Sequence, residues 1–266
     1  MRLDPSRFGA MISQPEHCRK RVVVDEIQKF PRVLDFIHAE IVRTKRQFIM
    51  TCSSARRLKQ ERSNLLAGLA WLYSLYPLST LEIGESFNLS RALNWGGLPE
   101  AYLGVDDLAS REYLNAYVLT YLEKEIQNEQ WVRNIDPFRR FLAVAAQMNG
   151  KIVNRASIAR DVGVSDVTVA QYFEIMEDTL MGFILPAFNQ SVRKSQRQAP
   201  KYYFIDPGIK RAVERTLRSE LLPQTSACGD AFEHWVILEI IKGAAYGRLD
   251  RKFSYSRTKD DVEIDM

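Results

Sequence analysis

The most constraining feature of this sequence is the run of three valines at Val22–Val24, which Asp25 and Glu26 follow directly. Three β-branched apolar residues in succession do not alternate between a polar and an apolar face. They therefore predict a strand of a parallel sheet that is buried on both faces. We expect this strand to end in two carboxylates.

The residues after Glu26 predict a helix and a second strand. An amphipathic stretch spans residues 33–42, and the apolar residues Phe48–Met50 precede a short polar run. Strand, helix and strand in this order form a βαβ unit, whose strands pair in parallel. The polar run would then lie beside the two carboxylates, and its members are Thr51, Ser53 and Ser54.

The first strand with its two acids has the form of a Walker B strand. In P-loop NTPases the Asp of such a strand holds the Mg²⁺ of the nucleotide, and an adjacent Glu can polarise the attacking water. These roles would fall to Asp25 and Glu26, while the polar run after the second strand would sense the γ-phosphate or orient water. Apolar strands that end in acids also occur in many other α/β proteins, so the following motifs decide the interpretation.

Four segments follow one another in an informative order: DEIQKFP, TCSSARRLK, NLLAGLAWLYSLYPLSTLEI and GGLPEAYL. Their succession resembles a prokaryotic family of AAA+-like, STAND-related P-loop ATPases. Members of that family join an ATPase core to a winged helix and then to a domain similar to PD-(D/E)xK nucleases. The resemblance covers essentially the whole chain. It implies ATP and Mg²⁺ as cofactors, Glu26 as the catalytic residue, Asp25 as the Mg²⁺ ligand, and nucleotide contacts from Thr51, Ser53 and Ser54.

The chain departs from this family at the nucleotide site. A P-loop cradles the phosphates with its amides and a Lys, but no G-x-x-x-x-G-K-[ST] run occurs in the 266 residues. Where the family has Leu-Ala-Gly-Arg, with a candidate arginine finger, this chain has Leu at position 69. Leucine cannot stabilise the charge that develops on a γ-phosphate. We expect a chain that looks truncated at both ends and is unable to bind or hydrolyse ATP alone.

The resemblance implies a multidomain α/β and α+β fold. Its expected parts are a partial ATPase core with a parallel sheet at 1–80, a helical lid at 81–150, a winged helix-turn-helix at 151–205 and a partial restriction-endonuclease-like domain at 206–266. Within the lid, an aromatic and aliphatic stripe recurs at helical spacing and is expected to form core. The stripe consists of Tyr113, Leu114, Tyr117, Val118, Tyr121 and Leu122.

A helix-turn-helix is predicted around Gly163, with Ser165 capping the second helix. The outward residues of that helix are mainly acidic, which favours a structural joint or a protein contact over specific DNA reading. The hairpin that follows would carry a basic wing, the best nucleic-acid candidate by sequence, although a solvated basic hairpin is equally ordinary. Its predicted contacts, weak and non-specific, are Arg193, Lys194, Arg197 and Lys201.

The C-terminal segment resembles the nuclease-like hairpin of the family. Alternation would turn Val262 and Ile264 to one face and the acids Glu263 and Asp265 to the other. Together with Glu233 these acids could bind Mg²⁺ as a vestigial site. The next strand, which should carry E-x-K, does not follow, so we expect no complete metal-dependent phosphodiesterase site.

Composition sets the remaining limits. A net charge of +4 permits contact with nucleic acid without arguing for it. Three scattered cysteines without a C-x-x-C spacing fit a reducing cytoplasm, with Cys52 and Cys228 as small buried apolar residues. No signal peptide is predicted, and the apolar stretch at 65–78 is too short to span a membrane.

Three functions stay open at this point. The first is a degenerate or partial ATPase of the family. The second is a non-enzymatic adaptor that contacts DNA or a protein, which includes self-association, through the winged helix and the basic wing. The third is a nuclease-related toxin or defence protein, against which the missing E-x-K strand counts.

Overall fold

The predicted strand–helix–strand order is present at the start of the chain. β1 (Val22–Val24) pairs in parallel with β2 (Phe48–Met50), so that Val22 lies opposite Phe48. The crossover between them is α2 (Pro31–Thr44), which follows a 3₁₀ turn at Ile27–Lys29. Proline at the start of α2 is favourable because its fixed φ suits the first helical turn. A further helix, α1 (Pro5–Ile12), precedes the unit.

The structure is a computed structural model in which the chain divides into two compact units. The first comprises Met1–Tyr73 with Asp178–Leu180, and the second comprises Ser74–Glu177 with Met181–Met266. The residues that the structure describes are 5–14, 20–53, 68–122, 126, 132–189, 191, 198–257 and 263–265.

The β1–β2 pair is covered by helices on one face. Val24 is buried with apolar residues of α1 and α2, among them Phe8, Leu34 and Ile37. The prediction that β1 is buried on both faces is wrong, because Val23 keeps 64% of its surface exposed. Successive residues of a strand point to opposite faces, and within the described residues the helices pack against the Val24 face alone.

The elements from Thr80 onwards are mainly helical. The helices are α3 (Thr80–Ile83), α4 (Leu89–Trp95), α5 (Pro99–Tyr102), α6 (Asp107–Thr120), α7 (Ile135–Gln147), α8 (Arg155–Val162), α9 (Asp166–Asp178), α10 (Pro207–Glu214) and α11 (Ser226–Tyr246). Two antiparallel hairpins accompany them, β3 (Gly182–Leu185) with β4 (Lys201–Phe204) and β5 (Tyr255–Arg257) with β6 (Glu263–Asp265). Each hairpin is two-stranded within the described residues.

An aromatic core holds the second unit together. Phe141 of α7 is fully buried, with its ring centroid 4.9 Å from that of Phe173 and 5.2 Å from that of Tyr172. The prediction that the aromatic and aliphatic stripe forms core is confirmed. Leu114, Tyr121 and Leu122 are buried in the cluster, and the other three members pack against it partly buried.

Asp206 joins α10 to the segment that follows α4. Its carboxylate is 1% exposed and accepts hydrogen bonds from the N–H of Gly97 at 2.6 Å and the N–H of Ile209 at 3.0 Å. A Cβ on Gly96, whose φ is +74°, would lie 1.9 Å from Asp206 Oδ1, and one on Gly208 would lie 2.2 Å from a backbone carbonyl oxygen. Glycine is therefore required at both positions for the close approach of the two segments.

Candidate functional site

The carboxyl ends of β1 and β2 bring together the polar residues predicted from the sequence. Thr51 Oγ1 donates a hydrogen bond to Asp25 Oδ1 and accepts one from the N–H of Glu26 at 3.1 Å. Backbone bonds fix this arrangement, since Thr51 N–H donates to Val24 O and Ile27 N–H donates to Thr51 O, both at 3.0 Å. The predicted proximity of the two polar runs is thus confirmed for these residues.

Glu26 is held by three contacts that all fall on one carboxylate oxygen. Gln28 Nε2 donates to Glu26 Oε2 at 2.5 Å, Ser53 Oγ donates to the same atom at 3.3 Å, and Lys29 Nζ lies 3.4 Å from it. The backbone of Glu26 is left-handed, with φ at 54°, a conformation that disfavours side chains with a Cβ. These contacts stabilise it and, within the described residues, leave Oε1 without a hydrogen bond.

Gln28 is a site residue that the sequence did not single out. Its Nε2 bridges Glu26 and Ser53, the latter at 2.9 Å, and its side chain is 8% exposed. Gln28 Oε1 is buried and has no hydrogen-bond partner in the described residues. The residue lies inside the DEIQKFP segment, but spacing alone gave no reason to assign it a role. A buried acceptor without a partner is uncommon in folded proteins and indicates a place where a donor fits.

Of the other residues predicted for the nucleotide site, the structure describes some and leaves others out. Ser54 lies outside the described residues. Gly68 and Leu69 form a turn, with φ of Gly68 at +79°, and the Leu69 side chain is partly buried. Cys52 is half-buried against the core of the first unit and Cys228 is half-buried in α11. Both thiols are thus partly rather than completely buried.

The hairpin predicted to carry the basic wing is present as β3–β4, but Lys201 does not point to solvent. Lys201 is 1% exposed, and its ammonium lies 5.5 Å from the ring centroid of Tyr255. Its burial beside the Tyr255 ring leaves Lys201 without the solvent access that nucleic-acid contact needs, so the predicted contact is not supported at this residue. The remaining wing cations, Arg193, Lys194 and Arg197, lie outside the described residues.

The two helices predicted around Gly163 are present as α8 and α9. Gly163 is left-handed with φ at 76°, and Ser165 Oγ accepts a hydrogen bond from the N–H of Thr168 at 3.1 Å. The sequence of α9 contains neither Lys nor Arg, and its exposed residues include Gln171 and Glu174. A surface of this charge does not attract phosphates.

The acidic residues predicted to form a vestigial metal site are only partly described. Glu233 Oε1 accepts a hydrogen bond from the Tyr203 hydroxyl at 3.1 Å. β6 pairs with β5 so that Glu263 lies opposite Arg257 and Asp265 opposite Tyr255. The side chains of Glu263 and Asp265 lie outside the described part of the chain, and no group of three His, Cys, Asp or Glu side chains lies together inside it. The metal site stays a prediction.

Two family models match this chain. One is described as an AAA domain and matches residues 4–84, which include Asp25, Glu26, Thr51 and Ser53 at the carboxyl ends of β1 and β2. The other is described as Domain of unknown function (DUF8612) and matches residues 86–220, just over half of the chain. The chain belongs to the DUF8612 family. The DUF8612 match begins two residues after the end of the AAA match. The AAA match relates the chain to the AAA-type P-loop ATPases.

Two curated relatives have the same extent of similarity. They are uncharacterized protein Rv2008c of Mycobacterium tuberculosis and uncharacterized protein Mb2031c of Mycobacterium bovis, each 24% identical over 250 residues. The alignment covers 92% of this DUF8612 chain and 55% of each relative, so the chain spans about half of their length. No solved structure matches the chain. Among the helices of the described residues, none combines the length and apolarity needed to cross a bilayer.

Proposed function

We propose that residues 1–80 supply the Mg²⁺-binding and water-polarising carboxylates of an AAA-like ATPase site. The observation that carries this proposal is the cluster of Asp25, Glu26, Thr51 and Ser53 at the carboxyl edge of a parallel strand pair. Ligands of α/β proteins bind at that edge. The AAA match over residues 4–84 supports the same reaction class.

The donor atoms of this cluster fit Mg²⁺. Mg²⁺ prefers oxygen ligands and is held in phosphate-transfer sites by one or two carboxylates together with substrate phosphates and water. Asp25 is exposed, and the hydroxyl of Thr51 fixes one of its carboxylate oxygens. Asp25 would hold the ion, with Thr51 as its positioning residue. Bound there, the ion would neutralise negative charge on the β- and γ-phosphates.

Glu26 would orient the attacking water. Because Gln28, Ser53 and Lys29 all contact Oε2, the carboxylate plane is fixed and Oε1 is the oxygen that accepts a hydrogen bond from water. A base with a fixed orientation loses little entropy when the reactants meet. The amide of Gln28 therefore acts through Glu26 as a positioning group.

This site lacks the groups that would bind the phosphates of a nucleotide tightly. Most of the affinity for a triphosphate comes from loop amides and a Lys, and no P-loop run occurs in the 266 residues. We infer that the chain alone neither binds Mg·ATP tightly nor hydrolyses it. We infer further that a P-loop segment of the AAA class placed before β1 completes the site.

Thermal unfolding with millimolar Mg·ATP tests the first inference, and we expect no shift for the 266-residue chain. A fusion protein in which a P-loop segment of the AAA class precedes this chain tests the second inference. We expect the fusion to bind Mg·ATP and to lose turnover in Glu26→Gln but not in Glu112→Gln, an exposed control in α6. Leu69→Arg should raise turnover of the fusion and do nothing for the chain alone. Tight ATP binding by the unfused chain would refute the placement of the Walker B strand.

We propose that residues 151–205 form a winged helix that serves as a structural joint or protein contact. The order α8, turn, α9, β3 and β4 supports the winged-helix assignment. The absence of basic residues from α9 supports a role other than reading bases. Fluorescence anisotropy with two duplexes of unrelated sequence tests this role, and a strong preference for one duplex would contradict it.

A further inference from the structure

The second unit contains a cleft of about 370 Å³, which we call the arginine cleft. Three arginines from separate elements line it, namely Arg91 of α4, Arg111 of α6 and Arg218 of the loop after α10. The lining residues come from the segments 88–111 and 217–220, which the structure describes without a gap. Both segments lie inside the DUF8612 match. The charges of the cleft can therefore be counted from described residues.

Neutral oxygen atoms hold the Arg91 guanidinium in place. Its Nε donates to Tyr102 O, and its Nη2 donates to Gly104 O at 2.8 Å and to Ser110 Oγ at 3.1 Å. Its Nη1 makes no hydrogen bond within the described residues and lies 3.6 Å from Asp107 Oδ1, in a carboxylate whose side chain is 75% exposed. Arg91 thus lines the cleft with a fixed guanidinium that still has a nitrogen able to donate.

Arg111 and Arg218 add two cations that are not paired. Neither guanidinium has an ion pair or a hydrogen bond within the part of the chain that the structure describes. Arg218 is exposed, but Arg111 is half-buried. A charged side chain that loses part of its hydration usually gains a partner. A half-buried guanidinium without one therefore indicates a site for an anion.

Two carboxylates also line the cleft and offset part of its positive charge. Asp107 is the loose partner of Arg91, and Glu220 makes no ion pair within the described residues. Both acids are exposed, so water and salt screen their repulsion of a bound anion. Three guanidiniums against two carboxylates leave an excess of one positive charge.

We propose that the arginine cleft binds the terminal phosphate of a small polar molecule. A guanidinium has several N–H donors in a planar fork and no acceptor, so it matches an oxyanion. A phosphate monoester at neutral pH carries nearly two negative charges on three terminal oxygens, which guanidiniums from three elements can contact together. A carboxylate offers only two oxygens, and each phosphate of a nucleic-acid backbone offers two oxygens and a single charge. The terminal phosphate is therefore the best match among these anions.

The size and polarity of the cleft indicate which molecule carries the phosphate. Pockets for small molecules have volumes of roughly 300–1,000 Å³, and the arginine cleft lies at the lower end of that range. Asn88, Ser90 and Ser219 contribute amide and hydroxyl groups to the lining, whereas Trp95 and Leu217 are only 8% and 6% exposed. The cleft thus offers hydrogen bonds to hydroxyl groups and little apolar surface to an aromatic base. The ligand class is a phosphorylated polyol or sugar, and the proposal does not depend on ATP binding by the first unit.

Isothermal titration calorimetry of the full chain with glycerol phosphate at low ionic strength tests this proposal. We expect saturable binding that the double variant Arg111→Gln/Arg218→Gln weakens about 100-fold, because each hydrogen bond lost from a charged group costs about tenfold in affinity. Without ligand, the Tm of the double variant should equal that of the wild type, since neither side chain has a partner to lose. Arg91 is kept because it holds the turn between α5 and α6.

The matched control is Arg160→Gln/Arg251→Gln, which removes two exposed arginines of the second unit that do not line the cleft. The control should keep the affinity of the wild type. Glycerol, which has no anionic group, should not bind, and glycerate, in which a carboxylate takes the place of the phosphate, should bind about tenfold more weakly.

No binding of glycerol phosphate at millimolar concentration would overturn the proposal, and so would equal affinities of the cleft variant and the control. Glycerate that binds as tightly as glycerol phosphate would refute the choice of phosphate. A labelled DNA duplex that binds more tightly than glycerol phosphate through the same two arginines would refute the choice of a small molecule. If the double variant has a lower Tm than the wild type, the single variant Arg218→Gln, at an exposed side chain, takes its place with an expected loss of about tenfold.

Discussion

Removal of the Asp206 carboxylate should destabilise the second unit far more than removal of an ordinary helix cap. Asp206 caps α10 through the N–H of Ile209 and also accepts the N–H of Gly97 from a segment more than one hundred positions earlier. Loss of the cap costs about 1 kcal/mol. The N–H of Gly97 would be left without its acceptor in the interior, which costs about 1–3 kcal/mol. We expect Asp206→Ala to cost about 3 kcal/mol in total.

The matched control is Asp106→Ala. Asp106 caps α6 through one hydrogen bond to the N–H of Ala109 at 2.7 Å, and it is exposed. Its loss should cost about 1 kcal/mol. For a domain of this size 1 kcal/mol lowers the Tm by about 2–4 °C, so the two variants should differ by several degrees in a thermal melt. Equal Tm values for the two variants would show that the buried hydrogen bond from Gly97 N–H to Asp206 contributes nothing beyond the helix cap.

The pH dependence of Asp206 gives a second measure of the same site. Burial raises the pKa of Asp206, and the N–H of Gly97 opposes this shift. A raised pKa means that folding favours the protonated carboxyl of Asp206 over the ionised one. The stability that protonation of Asp206 contributes is therefore full below pH 3.8 and is lost as the pH rises through the raised pKa. Asp206→Asn removes that dependence. It should be less destabilising than Asp206→Ala because the amide oxygen still accepts one hydrogen bond.

The other predictions concern burial, glycine and histidine. Burial lowers the pKa of His234 from its usual 6.5 to about 4. Stability should therefore fall by about 3 kcal/mol as the pH drops from 6.5 to 4, and His234→Gln should abolish this loss in urea titrations. Phe141→Ala, at a fully buried ring, should cost about 3–5 kcal/mol, whereas Phe188→Ala, at a ring 60% exposed, should stay within about 0.5 kcal/mol. Gly208→Ala should lower the Tm because its Cβ meets a carbonyl oxygen at 2.2 Å, and Gly229→Ala, with no atom within 4 Å in α11, should raise it.

Local patterns in the sequence were enough to predict the first strand pair and its acids. Val22–Val24 and Phe48–Met50 are apolar runs on either side of an amphipathic helix, and such an order leaves parallel pairing as the one arrangement with a short crossover. The proximity of Thr51 to Asp25 follows from the pairing, because register fixes which residues come after each strand. The helix pair around Gly163 and the hairpin after it follow from equally local signals.

Contacts between distant segments were not predictable in this way. The sequence placed Lys201 on a basic wing, but its side chain is buried, with the ammonium 5.5 Å from the centroid of the Tyr255 ring. The joint at Asp206 depends on Gly96 and Gly97, whose spacing from Asp206 carries no periodic signal, and the role of Gln28 depends on a side chain that reaches Ser53. Periodicity and capping are properties of neighbouring residues, so the sequence alone determines helices, strands and their local order. Which polar groups become buried depends on segments far apart in the chain, and only the tertiary structure decides it.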